Sequence, residues 1–363
     1  MEINREDGMN YSPVSLAEIS ERLKEGELNF AVIGLDHGHI HAMTQGLTEI
    51  GATPVAVYDE DFSRTKAFAE KHHIPACVTS VETIMEDPCV NLIVSAIRPD
   101  KRTDLGLQAM LHGKDYFVDK PGALTLNEVK KIRETCSETG RKYIVYFGER
   151  VHVEGAVYAQ KLIEDGKIGR VLSITILAPH RLNKESRPEW FFDKNQNGAI
   201  IQDIGSHQME QFLTYSGAED AKIVHSAVAN YANKDKKNFY DFGEFSIVTD
   251  NGTAGYCRLD WFTPDGMRVW GDGRVFIVGE KGSIEIRKYI DAGNEKFDDG
   301  DIVIFTDAQR ENRIECRGSV GFPFFYRVAQ DMINRTENEI TQSHILKSME
   351  LTIEAQMKAV VIE

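Results

Sequence analysis

The chain has 363 residues, 42% of them hydrophobic and 27% charged, with a formal net charge of −15; this is an ordinary globular composition, long enough for about two domains with a sizeable core. The acidic balance argues against nucleic acid or an anionic membrane surface as a partner and favours a small molecule. No apolar run approaches the roughly 20 residues of a membrane span, the N-terminus lacks a secretory apolar segment, and the five scattered cysteines form no CxxC pair, so the expectation is a reduced, cytoplasmic protein with neither a disulfide framework nor a zinc ribbon.

Residues 1–28 form an N-terminal extension in which SLAEISERLKEG reads as a capped helix, packing on the next domain or on a neighbouring subunit. From residue 29 short β-rich runs alternate with helical segments. NFAVIG (29–34), ATPVAVYD (52–59), a weaker ACVT (76–79), NLIVSAI (91–97), DYFVD (115–119) and KYIVYF (142–147) read as strands. SRTKAFAEKHH, DKRTDLGLQAMLHG and TLNEVKKIRETCSETG read as helices, the last with a capping box from Thr125 to Glu128 and a stop at Gly140. Continuous apolar strands separated by amphipathic helices predict a parallel sheet covered on both faces, a doubly wound domain over 29–150.

Beyond about residue 150 the order changes. A helix near 152–165, the strand 170–179 and a helix near 203–216 precede long alternating strands at 240–250, 254–263, 274–279 and 282–290, with Asn251-Gly252 as a hairpin turn. Helices near 321–335 and 342–362 close the chain. Residues 151–363 are therefore expected to form an α+β substrate and oligomerisation domain with a large, mainly antiparallel open sheet. The fold class is α/β, a doubly wound Rossmann domain followed by this second domain.

Chemistry concentrates at strand ends. The first strand runs into GLDHGHIH, where a dinucleotide site wants glycines so that the backbone can approach a pyrophosphate at the helix N-terminus. Gly34 and Gly38 are present, but Asp36 occupies the second glycine position, and its carboxylate would repel a pyrophosphate unless it turns away or bonds a backbone amide. Asp59, ending the second strand, is placed to accept ribose hydroxyls, which favours NAD; Ser63 and Arg64 beside it keep NADP open. His37, His39 and His41 alternate, so a rival reading makes GLDHGHIH half of a zinc site in a metal-dependent hydrolase, with His180 a further ligand.

FVDKPG (117–122) ends the fifth strand on the carboxyl edge of the sheet, where ligands bind in open α/β folds. Proline restricts the backbone of Lys120 and aims its ammonium over that edge, where it can donate to a substrate oxygen. Downstream, Asp203 and His207 in GAIIQDIGSHQMEQF stand four apart at a helix start, the spacing for a carboxylate orienting an imidazole that takes a proton.

The first-strand turn, the strand-ending DKP in place of EKP, KLIEDGKIGRV (161–171) and the G-x4-D-x-G-x-H pattern (198–207) resemble the glucose-fructose oxidoreductase / inositol dehydrogenase (Gfo/Idh/MocA) family over nearly all of the chain from residue 29. The resemblance implies a catalytic group of Lys120, Asp203 and His207, and an NAD or NADP cofactor held by Gly34, Asp36, His37, Gly38, Asp59, Ser95, Asp119 and Lys120. It implies a sugar or polyol substrate and a homo-oligomer, dimer or tetramer, packed through the second sheet. Arg150 after the sixth strand, with His180, Arg181 and Trp190 in the APHRLNKESRPEWFF connection, are expected to meet that substrate as polar forks with an aromatic wall, Trp190 being equally a packing residue and Arg181 a surface ion pair, and no resident metal is expected. Asp36, Asp119 in place of glutamate, and Thr103 or Asp104 where many members carry a histidine are departures. The expected reaction is hydride transfer to or from a hydroxyl-bearing carbon. The alternatives are a lyase or glycosidase that retains NAD and oxidises its sugar transiently, a metal hydrolase, and a non-catalytic NAD- or sugar-binding protein.

Overall fold

The computed structural model describes residues 21–294 and 300–363. The helix expected in SLAEISERLKEG falls mostly outside them; residues 21–26 are not helical, and Leu23 docks on the first domain by donating its amide to the Ile50 carbonyl (2.8 Å).

The first domain is built from β1 (Asn29–Ile33), α1 (His39–Glu49), β2 (Thr53–Tyr58), α2 (Phe62–His72), β3 (Ala76–Cys77), α3 (Val81–Glu86), β4 (Leu92–Ser95), α4 (Pro99–Leu111), β5 (Asp115–Asp119), α5 (Leu126–Thr139) and β6 (Tyr143–Tyr146). All strand pairs are parallel, in the order β3-β2-β1-β4-β5-β6. Residues of β4, β5 and β6 are buried without exception, as a sheet covered on both faces requires. The order reverses between β1 and β4, so their carboxyl ends open a crevice at a switch point. Helix α5 carries the expected capping box and ends at Gly140 in the left-handed conformation.

The second part runs through α6 (Gly148–Val151), α7 (Glu154–Glu164), β7 (Val171–Pro179), α8 (Lys194–Asn197), α9 (Ala199–Asp203) and α10 (Gly205–Ser216). It continues with β8 (Ala221–Ala229), β9 (Phe242–Thr249), β10 (Ala254–Asp260), β11 (Arg274–Gly279), β12 (Gly282–Arg287), β13 (Ile302–Asp307) and β14 (Glu311–Glu315), then α11 (Pro323–Asn334), α12 (Gln342–Lys358) and β15 (Val360–Ile362). Among the described residues the sheet has nine strands in the order β14-β13-β12-β11-β7-β10-β9-β8-β15. It is antiparallel except for the β7–β10 and β8–β15 pairs. Strands β8, β13 and β14 join those read from the sequence. The closing helix stops at Lys358 rather than 362, because the β-branched run Val360, Val361 and Ile362 finds the open edge of β8.

Helix α11 follows the second sheet in sequence but packs on the first, and α12 bridges the two, its Leu351 and Ala355 joining the core of the second sheet. Phe324, Phe325, Val328, Ile345, Leu346 and Met349 belong to the same buried cluster as β1, β4 and β5. Gly46 on α1 permits this approach, since a Cβ there would lie 2.4 Å from the Phe325 ring. Gly46→Ala is expected to destabilise the protein by about 1–2 kcal/mol in chemical denaturation, the overpacking cost of about 1–3 kcal/mol exceeding the gain in helix propensity of up to about 1 kcal/mol. An unchanged midpoint would mean that the α1–α11 seam is loose.

Candidate functional site

Two neighbouring cavities sit at the carboxyl edge of the parallel sheet. The larger, about 370 Å³, is lined by Gly34, Asp36, Asp59, Arg64, Ile97 and Trp190 among others. Gly34 has φ +83°, and a Cβ there would strike Ile97 at 2.6 Å, so the β1 turn needs glycine for its conformation and its packing. Asp36 does what the sequence required of it. Its Oδ2 accepts the Arg98 amide at 2.9 Å and its Oδ1 pairs with Arg64 at 3.2 Å, so the carboxylate is tied to donors and partly neutralised. Asp59 is buried at the end of β2, where Oδ2 accepts the Leu35 amide (2.8 Å) and Oδ1 accepts the Asp61 amide and the Arg64 guanidinium. Ser95 bridges β1 and β4 by donating to the Ile33 carbonyl at 2.6 Å and accepting the Ile97 amide. Gly38 is the residue before α1.

The smaller cavity, about 30 Å³, is lined by Lys120, His207, His180, Glu149, Trp261 and Trp270 together with His37 and His39. Lys120 follows β5, and its peptide bond to Pro121 is cis. Its Nζ donates to Asp203 Oδ1 at 2.7 Å, both side chains being buried. This corrects the expected Asp203–His207 pairing. Asp203 closes α9 and His207 lies in the first turn of α10, which opens at Gly205, and the ammonium is a stronger partner for the carboxylate than a neutral imidazole. His207 Nδ1 has no hydrogen-bond partner among the described residues. Burial drives its imidazole well below the ordinary value of 6.5, with Glu149 opposing and Lys120 adding to the shift, so it is neutral near pH 7.

Asp119 is fully buried. Its Oδ2 accepts from Arg102 at 3.0 Å, and its Oδ1 lies 2.9 Å from His39 Nδ1. Burial alone would raise this carboxyl, but His37, His39 and the Arg102 guanidinium around it hold it well below the usual carboxylate range. Arg102 also donates to the carbonyls of Ile97, Asp119, Lys120 and Pro121, and so fixes the loop carrying the lysine.

The expected substrate residues divide. His180 reaches the smaller cavity, packed against Trp261 and Trp270 at ring separations of 5.4 and 4.4 Å, its Nε2 3.6 Å from Glu149 Oε1. Arg150 is engaged instead by Glu210 and by Gln160. Arg181 pins the carbonyls of Pro264, Met267 and Val269, and Trp190 stands in the wall of the larger cavity. Four contributors carried no sequence signal strong enough to single them out: Arg102, Glu149, Trp261 and Trp270. Glu149 accepts from Lys288 at 2.8 Å and from Gln208 at 2.9 Å, a partnership spanning well over a hundred residues. The two tryptophans were legible only as aromatics at and beyond a strand end.

Residues 28–147 match the family described as "Oxidoreductase family, NAD-binding Rossmann fold", and residues 156–285 match the "GFO/IDH/MocA C-terminal domain". The chain is 27% identical over 232 residues to a D-xylose dehydrogenase of Paenarthrobacter nicotinovorans, covering 62% of this chain and 57% of that enzyme, which is less than two thirds of its length. It is 27% identical over 264 residues to a scyllo-inositol 2-dehydrogenase (NAD(+)) of Bacillus subtilis, covering 72% and 74%. A crystal structure from Erwinia carotovora atroseptica SCRI1043, described as an oxidoreductase, superposes with a TM-score of 0.89 at 41% identity over 93% of this chain and 100% of that one.

Burial also pushes His152 down to about 3 and His180 to about 4. With His207 and His37, and with His41 and His72 also pushed to about 4, six imidazoles stay neutral in the folded chain while the unfolded chain protonates them below pH 6.5. Folding stability is therefore expected to fall as pH drops from about 6.5 towards 4, with a slope of several protons. His152→Gln should lower that slope by about one in unfolding titrations at stepped pH. A flat profile over this range would show that these rings titrate freely in the fold.

Proposed function

The chain belongs to the Gfo/Idh/MocA family of NAD-binding oxidoreductases, and from that premise we propose that it transfers hydride between a nicotinamide cofactor and a hydroxyl-bearing carbon of a sugar, polyol or cyclitol. The observation that carries this reading is a buried Lys120 ammonium, held by Asp203, lining one cavity with a neutral His207 and paired tryptophans. Aromatic faces beside polar forks suit a polyhydroxylated ring. The larger cavity fits the adenosine half of the cofactor: it lies at the switch point, its Asp36 is already tied to donors, and Asp59, Arg64 and the start of α1 would hold ribose and phosphates. NAD, when bound, supplies the hydride acceptor. Lys120 donates to the substrate oxygen and stabilises the negative charge that grows there, while His207 takes the hydroxyl proton. Asp203 keeps the ammonium aimed. Arg150 and Arg181, being engaged by internal partners, act by holding the walls.

Oligomerisation through the open sheet belongs to the same proposal. Phe276 and Val278 on β11, with Val248 on β9, are exposed apolar residues on this sheet, as a partner-covered face would have them. In light scattering, Phe276→Glu should shift the protein towards monomer; an unchanged mass would remove this face as the interface.

For the activity, NAD reduction is followed by absorbance across a panel of sugars and inositols. Lys120→Ala is expected to lower turnover about 10²–10⁴-fold with the fold retained by circular dichroism, and His207→Ala similarly. Full turnover in Lys120→Ala would sink the assignment, whereas NAD that is tightly retained with no net reduction would point to transient oxidation followed by elimination or hydrolysis.

A further inference from the structure

We propose that His37, His39 and Asp119 form a binding site for one divalent transition-metal ion of the zinc, iron(II) or manganese class, with its open coordination positions facing the cavity of Lys120 and His207. This goes beyond hydride transfer and does not depend on it.

The geometry comes first. One imidazole nitrogen from each histidine and one carboxylate oxygen all lie within 4.8 Å of one another, and Nδ1 of His39 and of His37 are 2.9 and 3.3 Å from the two Asp119 oxygens. Metal–ligand bonds of about 2.0–2.2 Å at tetrahedral or octahedral angles put ligand atoms about 3–3.4 Å apart, so small side-chain adjustments complete the site. The three groups also sit on rigid supports. The His37 amide donates to the Ala96 carbonyl (3.0 Å), His39 begins α1, and Asp119 ends β5.

The second observation is that both rings converge on one buried carboxylate that is already gripped from behind. His37 Nδ1 accepts the His39 backbone N–H at 3.2 Å and lies 3.3 Å from Asp119 Oδ2, which accepts from Arg102. An ion bound at that nitrogen would take the place of the amide as its partner.

The donor set selects the metal. Two imidazoles and one carboxylate with open positions suit zinc, iron(II) or manganese, whereas calcium and magnesium prefer oxygen. Arg102, gripping the carboxylate from its other side, orients it as outer partners do in metal sites. It also cancels the Asp119 charge, so the ion would demand an anionic fourth ligand. Hydroxide or a substrate oxygen in the adjoining cavity meets that demand, and both histidines line the cavity. The ion would then act as a Lewis acid on the same oxygen that Lys120 reaches.

The test uses full-length, untagged protein. Elemental analysis is followed by chelator stripping and titration with Zn2+, Mn2+ and Co2+, with NAD binding measured on the same samples. About one equivalent is expected, with affinity falling at least about tenfold in His37→Ala/His39→Ala. If that variant fails to fold by circular dichroism, the Co2+ absorbance of the intact protein decides: four- or five-coordinate bands abolished by chelator support the site, and the spectrum of the free hydrated ion overturns it. Metal far below one equivalent, or binding indifferent to the substitutions in a folded variant, also overturns it. NAD binding without metal would sink this site alone. Metal binding without NAD would sink the hydride-transfer reading and leave the site standing.

Discussion

The buried pair of Asp119 and Arg102 is the interaction on which the rest of the site depends. Both side chains are removed from water, and desolvating two charges costs several kcal/mol for each ion unless the remaining donors and acceptors find partners. Here they do. The guanidinium satisfies the carboxylate, three backbone carbonyls at the end of β5 and that of Ile97 beyond β4, so one side chain on α4 fixes the loop from which Lys120 projects. Removing either partner would leave an unpaired buried charge, a loss of about 3–5 kcal/mol, and would release the lysine from its register with Asp203. Position of the ammonium is thus a consequence of the sheet edge and a helix meeting across a salt bridge, with proline only restricting the backbone locally.

Much of this was legible in the sequence because it is local. Apolar runs without alternation announced a sheet buried on both faces, and DKP at the end of one of them announced a charged group at the ligand-binding edge. Asp36 was recognised as a misfit with two permitted escapes, and the structure takes one of them, the Arg98 amide. What failed were inferences that crossed an element boundary. The four-residue spacing of Asp203 and His207 implied one helix face, but α9 ends at Asp203 and α10 begins at Gly205, so the carboxylate turned to a lysine from another domain. Arg150 and Arg181 looked like substrate forks because an arginine near a strand end is a sensible ligand; only the fold reveals Glu210 and the 264–269 carbonyls waiting for them. Arg102 and Glu149 were silent for the same reason, their partners being distant in sequence. The C-terminal strand was hidden by a helical pattern running straight into it, and pairing with β8, a tertiary event, decided against helix.

The electrostatic design of the smaller cavity follows from how these charges are cancelled. Lys120 is matched by Asp203, Asp119 by Arg102, and Glu149 by Lys288, while His207 and His180 are kept uncharged by burial. Three internal ion pairs around neutral imidazoles leave little net charge in a region almost closed to water, where a local charge interacts far more strongly than it would in solution. In such a setting the charge that matters is the one the reaction creates. On the proposed hydride transfer, an oxygen gaining negative character would meet the ammonium without first displacing solvent, and the proton it gives up would have a vacant, unsolvated imidazole to receive it. The volume of the cavity, about 30 Å³, sets the matching constraint on that proposal: a sugar ring would need the walls of the cavity to part, and the dry state that strengthens these interactions would have to be re-formed around it.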